Sequence, residues 1–491
     1  MKRIAIVGGG IAGVSAAYEL AQQQAAGAKM EFVLFEASSR LGGIVETERR
    51  DGFVVECGPD SWVTEKPWAR ELAIELGLEQ EIVGSNDTWR KTYLAEGRKL
   101  TPLPDGMRLM VPTNWAAVLN SPLLSWQAKL AYLREPKIAA DLKTAALNLR
   151  QDESVSDFVR RHFGAEITDT FAAPLLAGVF GGDIATLSAR AVLPTLLALE
   201  REEGSLILGL QQKLRESKTH APIFTTLHSG LGTLIERMEA RIEARMPATS
   251  LRRNTSVQTL ERVGRQWRVQ IRDAAPSADS LFDAVIVATP SYVTGPLLAP
   301  LDAQIPALLP QQASSAIVVA LAFAPEQAQA LRIPRGFGFL VPQKKSAQAG
   351  DTQETREALA ERSLLACTFV DQKFLHRAPP GATLLRGFFG GAEAPALLAE
   401  SDTTLVELAA HSLGHILGKL PAPKFTVVRR WPQSLPLYAV GHRERMTELQ
   451  LRTAQMPGLQ LLGNAYDGVG LPDLIHAGRI AGRNAAKKLP A

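Results

Sequence analysis

Three glycines near the N-terminus have the spacing that binds the phosphates of a dinucleotide. Gly8, Gly10 and Gly13 form the pattern Gly-x-Gly-x-x-Gly between an apolar run and an alanine-rich stretch. The first glycine permits a tight turn, the second lets a pyrophosphate approach the backbone, and the third lets a helix pack closely on a strand. The N-terminus of that helix would present unpaired N–H groups and a partial positive charge to the phosphates.

A carboxylate stands where the ribose of such a ligand is expected. Glu36 ends the next apolar run, 23 residues after Gly13, and an acidic residue at about this distance hydrogen-bonds ribose hydroxyls in dinucleotide-binding folds. The alternative is that the glycines only make a tight turn between strand and helix. The strand, the helix and Glu36 together favour a dinucleotide site, with Gly8, Gly9, Gly10, Ile11, Ala12, Gly13, Glu36 and Ala37 as its residues.

Further glycine-rich segments would suit a long dinucleotide such as FAD. Arg40, Gly42 and Gly43 follow Glu36 closely, and Gly58-Pro59-Asp60 follows a hairpin-like run. The second Gly-x-Gly-x-x-Gly that a separate nicotinamide site would require is missing.

Residues 463–473 form another glycine-rich turn near the C-terminus. Pro472 suits the first position of a helix, so the preceding turn would point backbone N–H groups outward. Aimed at the N1–C2=O edge of a flavin, these groups would stabilise negative charge there.

The surrounding elements predict how these residues are positioned. An apolar strand at Lys2–Val7, a helix at Ile11–Gln24 and a strand at Glu31–Glu36 make a β-α-β opening. Residues 89–221 carry helical patterns with few strand runs, at Trp126–Leu149, Ser154–Phe163, Ala189–Leu199 and Ser205–Ser217.

The composition is that of an ordinary globular protein. The 491 residues include 46% hydrophobic and 21% charged residues, with a net charge of +4, which excludes a disordered or fibrous chain and predicts two or three domains. Cys57 and Cys367 cannot build a disulfide framework. His411 and His415 have metal-ligand spacing, but without a third ligand they indicate helix-surface residues, so no metal is expected. With no signal-peptide pattern and no transmembrane run, we expect a cytoplasmic protein.

Several segments together resemble one enzyme family. The segments GGGIAG, FEASSRLGG, GFVVECGPDS, PLLAGVFGGD, LSARAVLP and GFGFLVP, followed by the glycine-rich C-terminal turn, are similar to those of the FAD-dependent protoporphyrinogen and coproporphyrinogen III oxidases of heme synthesis. That family belongs to the monoamine-oxidase-like flavoproteins. The resemblance covers nearly the whole chain, and its most specific parts are GPDS and the LAGVFGGD and LSAR segments.

The resemblance implies an α/β (α+β) fold in three parts. A Rossmann-like FAD-binding domain of the p-hydroxybenzoate-hydroxylase type would comprise residues 1–55, 222–295 and 425–491. A mixed-sheet substrate domain would comprise residues 56–88 and 296–424. A helical insertion, which associates with membranes in eukaryotic members, would span residues 89–221, and we expect at most peripheral membrane contact.

The resemblance also implies the reaction. Members remove six electrons from a porphyrinogen in three rounds; dioxygen reoxidises the flavin and hydrogen peroxide forms. Because no cysteine follows Cys367, non-covalent FAD is favoured. A ferrochelatase is an implied recipient of the product, and no general base is assigned. Further residues implied to contact FAD are Arg40, Gly42, Gly43, Gly58, Pro59, Asp60, Val257, Trp431, Asn464, Val469, Gly470 and Leu471.

The implied substrate site needs apolar walls and cations for propionates. Arg90 and Lys91 lie in the segment where the family places a basic residue, although Thr92 replaces the commoner arginine there. Lys66 is a further candidate, and each of these cations has a solvated surface position as its alternative. The implied walls, whose alternative is an ordinary core role, comprise Gly178, Val179, Phe337, Gly338, Leu340 and Phe388.

Other functions stay open on the same scaffold. An amine oxidase or a carotenoid desaturase would need an aromatic cage or a long apolar tunnel. A non-catalytic escort protein for lipidated partners would not need the C-terminal flavin turn. The arginine-rich stretch 241–253 lacks interleaved aromatic residues, so no nucleic-acid partner is expected. The sequence does not decide between protoporphyrinogen IX and coproporphyrinogen III, and it leaves the oligomeric state open.

Overall fold

A computed structural model describes residues 1–149, 151–216, 221–272, 280–342 and 362–487. The strands, labelled in chain order, are β1 (Lys2–Val7), β2 (Met30–Phe35), β3 (Thr47–Arg50), β4 (Phe53–Glu56), β5 (Trp62–Val63), β6 (Ile82–Gly84), β7 (Thr92–Glu96), β8 (Lys99–Pro102), β9 (Met107–Arg108), β10 (Val111–Pro112), β11 (Phe224–Leu227), β12 (Leu251–Arg252), β13 (Val257–Val263), β14 (Gln266–Ile271), β15 (Leu281–Phe282), β16 (Ala284–Val287), β17 (Ala313–Phe323), β18 (Gly338–Leu340), β19 (Leu364–Phe369), β20 (Thr383–Phe389), β21 (Phe425–Pro436) and β22 (Leu459–Leu461).

The α-helices differ widely in length, and one-turn segments alternate with long helices. They span Ile11–Ala25, Trp68–Glu75, Trp115–Leu119, Trp126–Arg134, Ala139–Asn148, Val155–Phe163, Ala165–Ile167, Ala173–Phe180, Ala189–Val192, Pro194–Glu203, Leu206–Glu216, Gly232–Glu243, Ser291–Leu298, Ile305–Leu308, Pro325–Ala328, Val370–Lys373, Ala394–Leu398, Asp402–Leu417, His442–Ala454 and Leu471–Lys487. Within the described ranges, no helix combines the length and the apolar character needed to cross a bilayer.

The N-terminal strands form a parallel sheet in the order β12-β2-β1-β16-β22. Strand β1 lies at its centre, and Ile4 to Val7 are buried on both faces. Helices cover the face of Ile4 and Ile6, whereas the sheet β13-β14-β15 together with further helices covers the face of Ala5 and Val7. The helix Ile11–Ala25 packs on the C-terminal helix, where a Cβ on Gly478 would lie 2.3 Å from the Ala12 carbonyl oxygen. Glycine is therefore needed for this close helix contact. The predicted strands and helix of the β-α-β opening are confirmed to within one residue at each end.

A second, mixed sheet has the order β21-β17-β20-β19-β18-β7-β8. Strand β18 runs parallel to β7, whereas the other neighbours are antiparallel. One face of this sheet packs on the helix Asp402–Leu417. On the opposite face, Leu384 and Ala320 pack against Phe53 and Val55 of the β3–β4 hairpin, so this hairpin joins the two sheets.

Strand pairing assigns two segments to the mixed sheet that the sequence analysis placed in other domains. Strands β7 and β8 belong to the mixed sheet although they fall in the predicted helical segment 89–221, and β21 belongs there although it falls in the predicted FAD-binding segment 425–491. Strands β7 and β8 are short and are joined by a tight turn at Gly97, which has φ +57°. Their alternation of apolar and polar residues is therefore too brief to be recognised as strands in the sequence. The long β21 pairs with β17 through contacts that are remote in sequence.

Proline divides two helices that the sequence predicts as continuous. The predicted helix Trp126–Leu149 consists of Trp126–Arg134 and Ala139–Asn148, separated by a 3₁₀ turn that contains Pro136. The predicted helix Ala189–Leu199 breaks before Pro194. Proline has no N–H and clashes with the preceding turn, so it begins a new helix more readily than it continues one.

The buried carboxyl group of Asp371, beside the mixed sheet, should make the free energy of unfolding depend on pH. Burial raises the pKa of this carboxyl group to about 6, and the main-chain N–H of Leu384 donates to it. Its unfolded pKa is about 3.9, so ionisation costs the folded state stability as the pH rises from about 4 to about 6. We expect Asp371→Asn to be more stable than the wild type by about 2–3 kcal/mol at pH 8 and nearly equal at pH 4.

Urea unfolding at both pH values measures this difference. Asp402→Asn is the control, because Asp402 pairs with Arg430 at an exposed position. Equal or lower stability of Asp371→Asn at pH 8 would show that its ionised form is stabilised in the folded state.

Candidate active site

Different physical reasons account for the glycines at positions 8, 10 and 13. Gly8 has φ +107°, and a Cβ on Gly13 would lie 2.0 Å from the Gly8 carbonyl oxygen. These two positions are therefore glycine because of the protein's own backbone. Gly10 has φ −65°, and no atom lies within 4 Å of a Cβ built on it. Nothing in the described chain demands glycine at position 10, which leaves the room a phosphate would occupy.

The loop that follows β2 forms the opposite wall of this cradle. The Gly42 N–H donates to the Gly9 carbonyl at 2.7 Å, and a Cβ on Gly43 would lie 3.2 Å from Gly10 Cα. Arg40 donates to the Gly43 carbonyl at 2.6 Å and pairs with Glu46 at 2.8 Å. The Arg40 guanidinium thus holds the loop closed, and its predicted contact with the cofactor stays a prediction.

Glu36 lies at the edge of the cradle with both oxygens engaged. Its carboxylate accepts from the N–H groups of Gly9 at 2.7 Å and Ser38 at 2.8 Å. Each carboxylate oxygen can accept a further bond, so the group can still receive the hydroxyls of a ribose. Val257 begins β13 close by, because the Thr255 N–H donates to the Glu36 carbonyl at 2.7 Å.

Glu36→Gln should therefore weaken FAD binding by about ten-fold or more. Gln keeps the shape but removes the charge, which assists hydrogen bonds worth about 1.5–3 kcal/mol. It also offers only one oxygen to the two N–H groups. The dissociation constant of FAD, measured by fluorescence titration of the apoprotein, checks this expectation, with Glu31→Gln on the same strand as control. An unchanged dissociation constant of FAD would show that Glu36 does not bind the ribose.

The segment Gly58-Pro59-Asp60 continues the cradle toward the mixed sheet. A Cβ on Gly58 would lie 1.9 Å from the Ile44 carbonyl oxygen, so only glycine lets these backbones meet. The indole N–H of Trp431 donates to the Cys57 carbonyl at 2.7 Å. Asp60 pairs with Lys373 at 2.9 Å and Arg386 at 3.4 Å. Burial opposes ionisation of Asp60, but these two cations hold its pKa well below the usual range.

Two aromatic side chains shape the C-terminal turn. The Tyr438 hydroxyl donates to the Asn464 carbonyl at 2.6 Å, and His442 Nε2 lies 2.9 Å from the Tyr466 carbonyl. The two rings stack at 4.0 Å, and burial lowers the pKa of His442, which favours the neutral ring. These bonds draw the carbonyl groups to one side of the turn.

The N–H groups at the end of this turn are available to a ligand. Within the described ranges, the N–H groups of Val469, Gly470 and Leu471 have no hydrogen-bond acceptor. Val469 and Gly470 precede the helix Leu471–Lys487, and Leu471 begins it, so Pro472 is the second helical residue rather than the predicted first. Their contact with a flavin stays a prediction, whereas the Asn464 amide donates to the Ser434 carbonyl.

The predicted cations have different surroundings. Lys66 binds both oxygens of Asp473 at 2.7 and 2.6 Å, so its ammonium already has a counterion. Arg90 is half-buried and Lys91 exposed, and neither forms an ion pair with a described residue. The Phe337 N–H donates to the Lys91 carbonyl at 2.7 Å, which brings one predicted wall residue beside the two cations.

The predicted walls meet the helical part of the chain. Leu340 and Val469, one from each predicted site, pack against the same helical core. Gly338 has φ +142° and a backbone carbonyl 2.0 Å from a built Cβ, whereas Phe388 is half-buried on β20. Gly178 and Val179 fall in the helix Ala173–Phe180, but their surroundings lie outside the described residues.

Sequence reasoning missed the polar residues behind these walls. Tyr438 and His442 act through the backbone of a distant turn, a contact that no local pattern reveals. The sequence contains one indication of these buried polar residues: Arg386 interrupts the apolar run Thr383–Phe389. A charge inside a buried strand requires a partner, and such an interruption points to a site.

The geometry defines a class of protein before any comparison. A parallel sheet with an open glycine cradle is joined to a mixed sheet, and the helical segment packs on the mixed sheet. This is a Rossmann-type domain of the dinucleotide-binding class joined to a mixed-sheet domain, as the α/β prediction stated.

Comparisons with known proteins give the family. The model of the flavin-containing amine oxidoreductases matches residues 11–489. The coproporphyrinogen III oxidase of Bacillus subtilis is 31% identical over 98% of this chain and 97% of its own length. The chloroplastic protoporphyrinogen oxidase of Nicotiana tabacum is 27% identical over 95% and 82%. The chain therefore belongs to the flavin-containing amine oxidoreductase family and, within it, to the porphyrinogen oxidases.

Solved structures support this assignment at the level of the fold. A protein from Exiguobacterium sp. 255-15 is 32% identical with a TM-score of 0.79, covering 99% of this chain and 98% of its own. Cyclohexylamine oxidase from Brevibacterium oxydans shares the fold with a TM-score of 0.65 at 14% identity, covering 99% of each chain.

Proposed function

We propose that this chain binds FAD non-covalently and oxidises a porphyrinogen, coproporphyrinogen III, to the porphyrin with dioxygen as the electron acceptor. The observation that carries the cofactor assignment is the open space at Gly10 in a cradle otherwise closed by Gly43 and Leu41. The similarity to coproporphyrinogen III oxidases over almost the whole chain supports the substrate class.

Both cysteines support a non-covalent flavin. Cys57 and Cys367 are buried and free, and burial raises the pKa of Cys57 to about 11 and that of Cys367 further. A thiol must ionise to act as a nucleophile, so neither is prepared to attach a cofactor.

The chain's own residues would orient the substrate and exclude water. When bound, FAD would supply the capacity to accept a hydride, which carries two electrons, in each round. Leu340 and Val469 lie beneath the helical cover and provide an apolar surface for a macrocycle. Placement in a water-free groove is itself a large source of rate, so no acid–base side chain is assigned.

Two cations at one edge favour the more highly charged porphyrinogen. Arg90 and Lys91 form no ion pair with a described residue. They directly precede β7, and Phe337, which bonds to Lys91, directly precedes the neighbouring strand β18. Coproporphyrinogen III carries more propionates than protoporphyrinogen IX, which has vinyl groups in their place.

Neutralising these cations should lower kcat/KM without loss of FAD. Arg90→Met and Lys91→Met keep the aliphatic stem and remove the charge; one exposed ion pair contributes about 0.2–1 kcal/mol, and a desolvated pair contributes more. We expect a fall of about two- to ten-fold for each variant, larger for coproporphyrinogen III. Fluorescence assays on both porphyrinogens measure it, with Lys99→Met as control. Wild-type kcat/KM for both variants would show that the propionates bind to other residues.

Membrane contact and product transfer remain parts of the proposal. On the helix Trp126–Arg134, Trp126 and Leu130 are exposed, whereas nearby Leu124 is buried, which supports at most a peripheral contact of a cytoplasmic protein. A ferrochelatase is the class of enzyme that would consume the porphyrin product.

A further inference from the structure

A buried charge cluster lies beneath Gly58, between the hairpin and the mixed sheet. It contains three cations, Lys373, Arg377 and Arg386, whose exposed fractions are 9%, 0% and 0%. Its carboxylates are Glu56 and Asp60, with side chains 1% and 14% exposed. If every group is ionised, one positive charge is not neutralised within the cluster.

The ion pairs show that Arg386 is the least closely paired of the three cations. Lys373 binds Asp60 at 2.9 Å, and Arg377 binds Glu56 at 2.8 Å. The Nε and Nη1 atoms of both arginines are buried without a hydrogen bond. Arg377 nevertheless donates to the Glu56 carboxylate, whereas Arg386 donates only to the neutral Gly58 carbonyl and reaches Asp60 at 3.4 Å. Burial also raises the pKa of Glu56, which weakens the negative side of the cluster further.

The cluster adjoins the cofactor cradle through the backbone. Arg386 Nη2 donates to the Gly58 carbonyl, Gly58 touches the Ile44 carbonyl, and Gly43 beside it touches Gly10. The guanidinium therefore lies one loop behind the cradle. Because the exposed fraction of Arg386 is zero, a substrate cannot touch its guanidinium. Its influence on the cradle is therefore electrostatic.

We propose that Arg386 is a positioning residue whose buried, incompletely neutralised charge gives the cofactor cradle a positive potential. A charge in a poorly solvated interior acts over a longer distance than one in water. It would favour whichever state of a bound flavin carries more negative charge. This inference rests on the proposed function, because it presupposes that FAD occupies the cradle.

Two measurements on the purified holoprotein test the inference without relying on turnover. The first is the reduction potential of the bound flavin by spectroelectrochemistry. The second is the dissociation constant of sulfite, which adds its lone pair to the oxidised flavin and leaves the negative charge on the ring. For Arg386→Met we expect a more negative potential and about ten-fold weaker sulfite binding, at full flavin content. Arg386→Lys keeps the charge and should stay within about three-fold of the wild type.

A matched control removes the same charge elsewhere. Arg452 pairs with Asp302 and Glu448 on the helix His442–Ala454, and Arg452→Met should change neither quantity. If Arg386→Met does not fold, Lys373→Met is used, because Asp60 would then neutralise Arg386 and shift both quantities in the same direction. Wild-type potential and sulfite affinity in the folded charge-removing variant would overturn the inference. A wild-type protein without flavin would instead overturn the proposed function.

Discussion

Replacing Gly10 with valine should give a folded protein that does not hold FAD. The protein has room for the start of a side chain here, because a Cβ built on Gly10 has no neighbouring atom within 4 Å and φ is −65°. The valine methyl groups would occupy the room left for the pyrophosphate. We expect circular dichroism and the unfolding midpoint to match those of the wild-type apoprotein, while the absorption bands of bound flavin disappear.

Two other glycines provide matched controls for this result. Gly414 also has open space around a built Cβ, so Gly414→Ala should retain FAD. Gly13→Ala should instead fail to fold, since the new Cβ would lie 2.0 Å from the Gly8 carbonyl oxygen. A yellow, fully loaded Gly10→Val protein would contradict the assignment of this cradle to a phosphate.

Asp60→Asn should cost about 3–5 kcal/mol of unfolding free energy at pH 7. The substitution removes the carboxylate that faces both Lys373 and Arg386 and leaves two buried cations without it. The folded-state pKa of Asp60 is lowered, so its contribution is complete above the unfolded pKa of about 3.9. The deficit of the variant should therefore be constant from pH 8 to pH 5 and shrink only as the pH falls below about 4.

A double variant separates charge from packing. If the cost of Asp60→Asn is unpaired positive charge, adding Arg386→Met should recover part of it. Urea unfolding of the single and double variants measures the recovery. Additive losses would indicate that Asp60 stabilises the loop through shape and hydrogen bonds, such as the one donated by Ser61, instead of through charge.

The elements that surround the proposed cofactor site could be predicted because their signals are local. The turn after β1, the helix Ile11–Ala25 and Glu36 lie within 36 consecutive residues, and each follows from strand and helix periodicity with glycine spacing. The structure adds what spacing cannot show, namely that Gly13 serves the protein backbone whereas Gly10 leaves open space.

The rest could not be predicted because it depends on contacts between remote segments. Lys373 and Arg386 meet Asp60 more than 300 residues away in sequence. Lys66 is a plausible propionate ligand from the sequence, yet it pairs with Asp473. The short strands β7 and β8 gain their stability from β18, so their own composition did not separate them from the helical segment.

The most direct test of the central claim is an aerobic assay of the purified, flavin-loaded protein on coproporphyrinogen III. Porphyrin fluorescence and hydrogen peroxide are recorded together, with protoporphyrinogen IX in parallel. We predict formation of coproporphyrin III with three peroxides per porphyrin, the stoichiometry implied by the family reaction. Failure of a yellow, folded preparation to oxidise either porphyrinogen, together with reduction of its flavin by an amine under anaerobic conditions, would contradict the account.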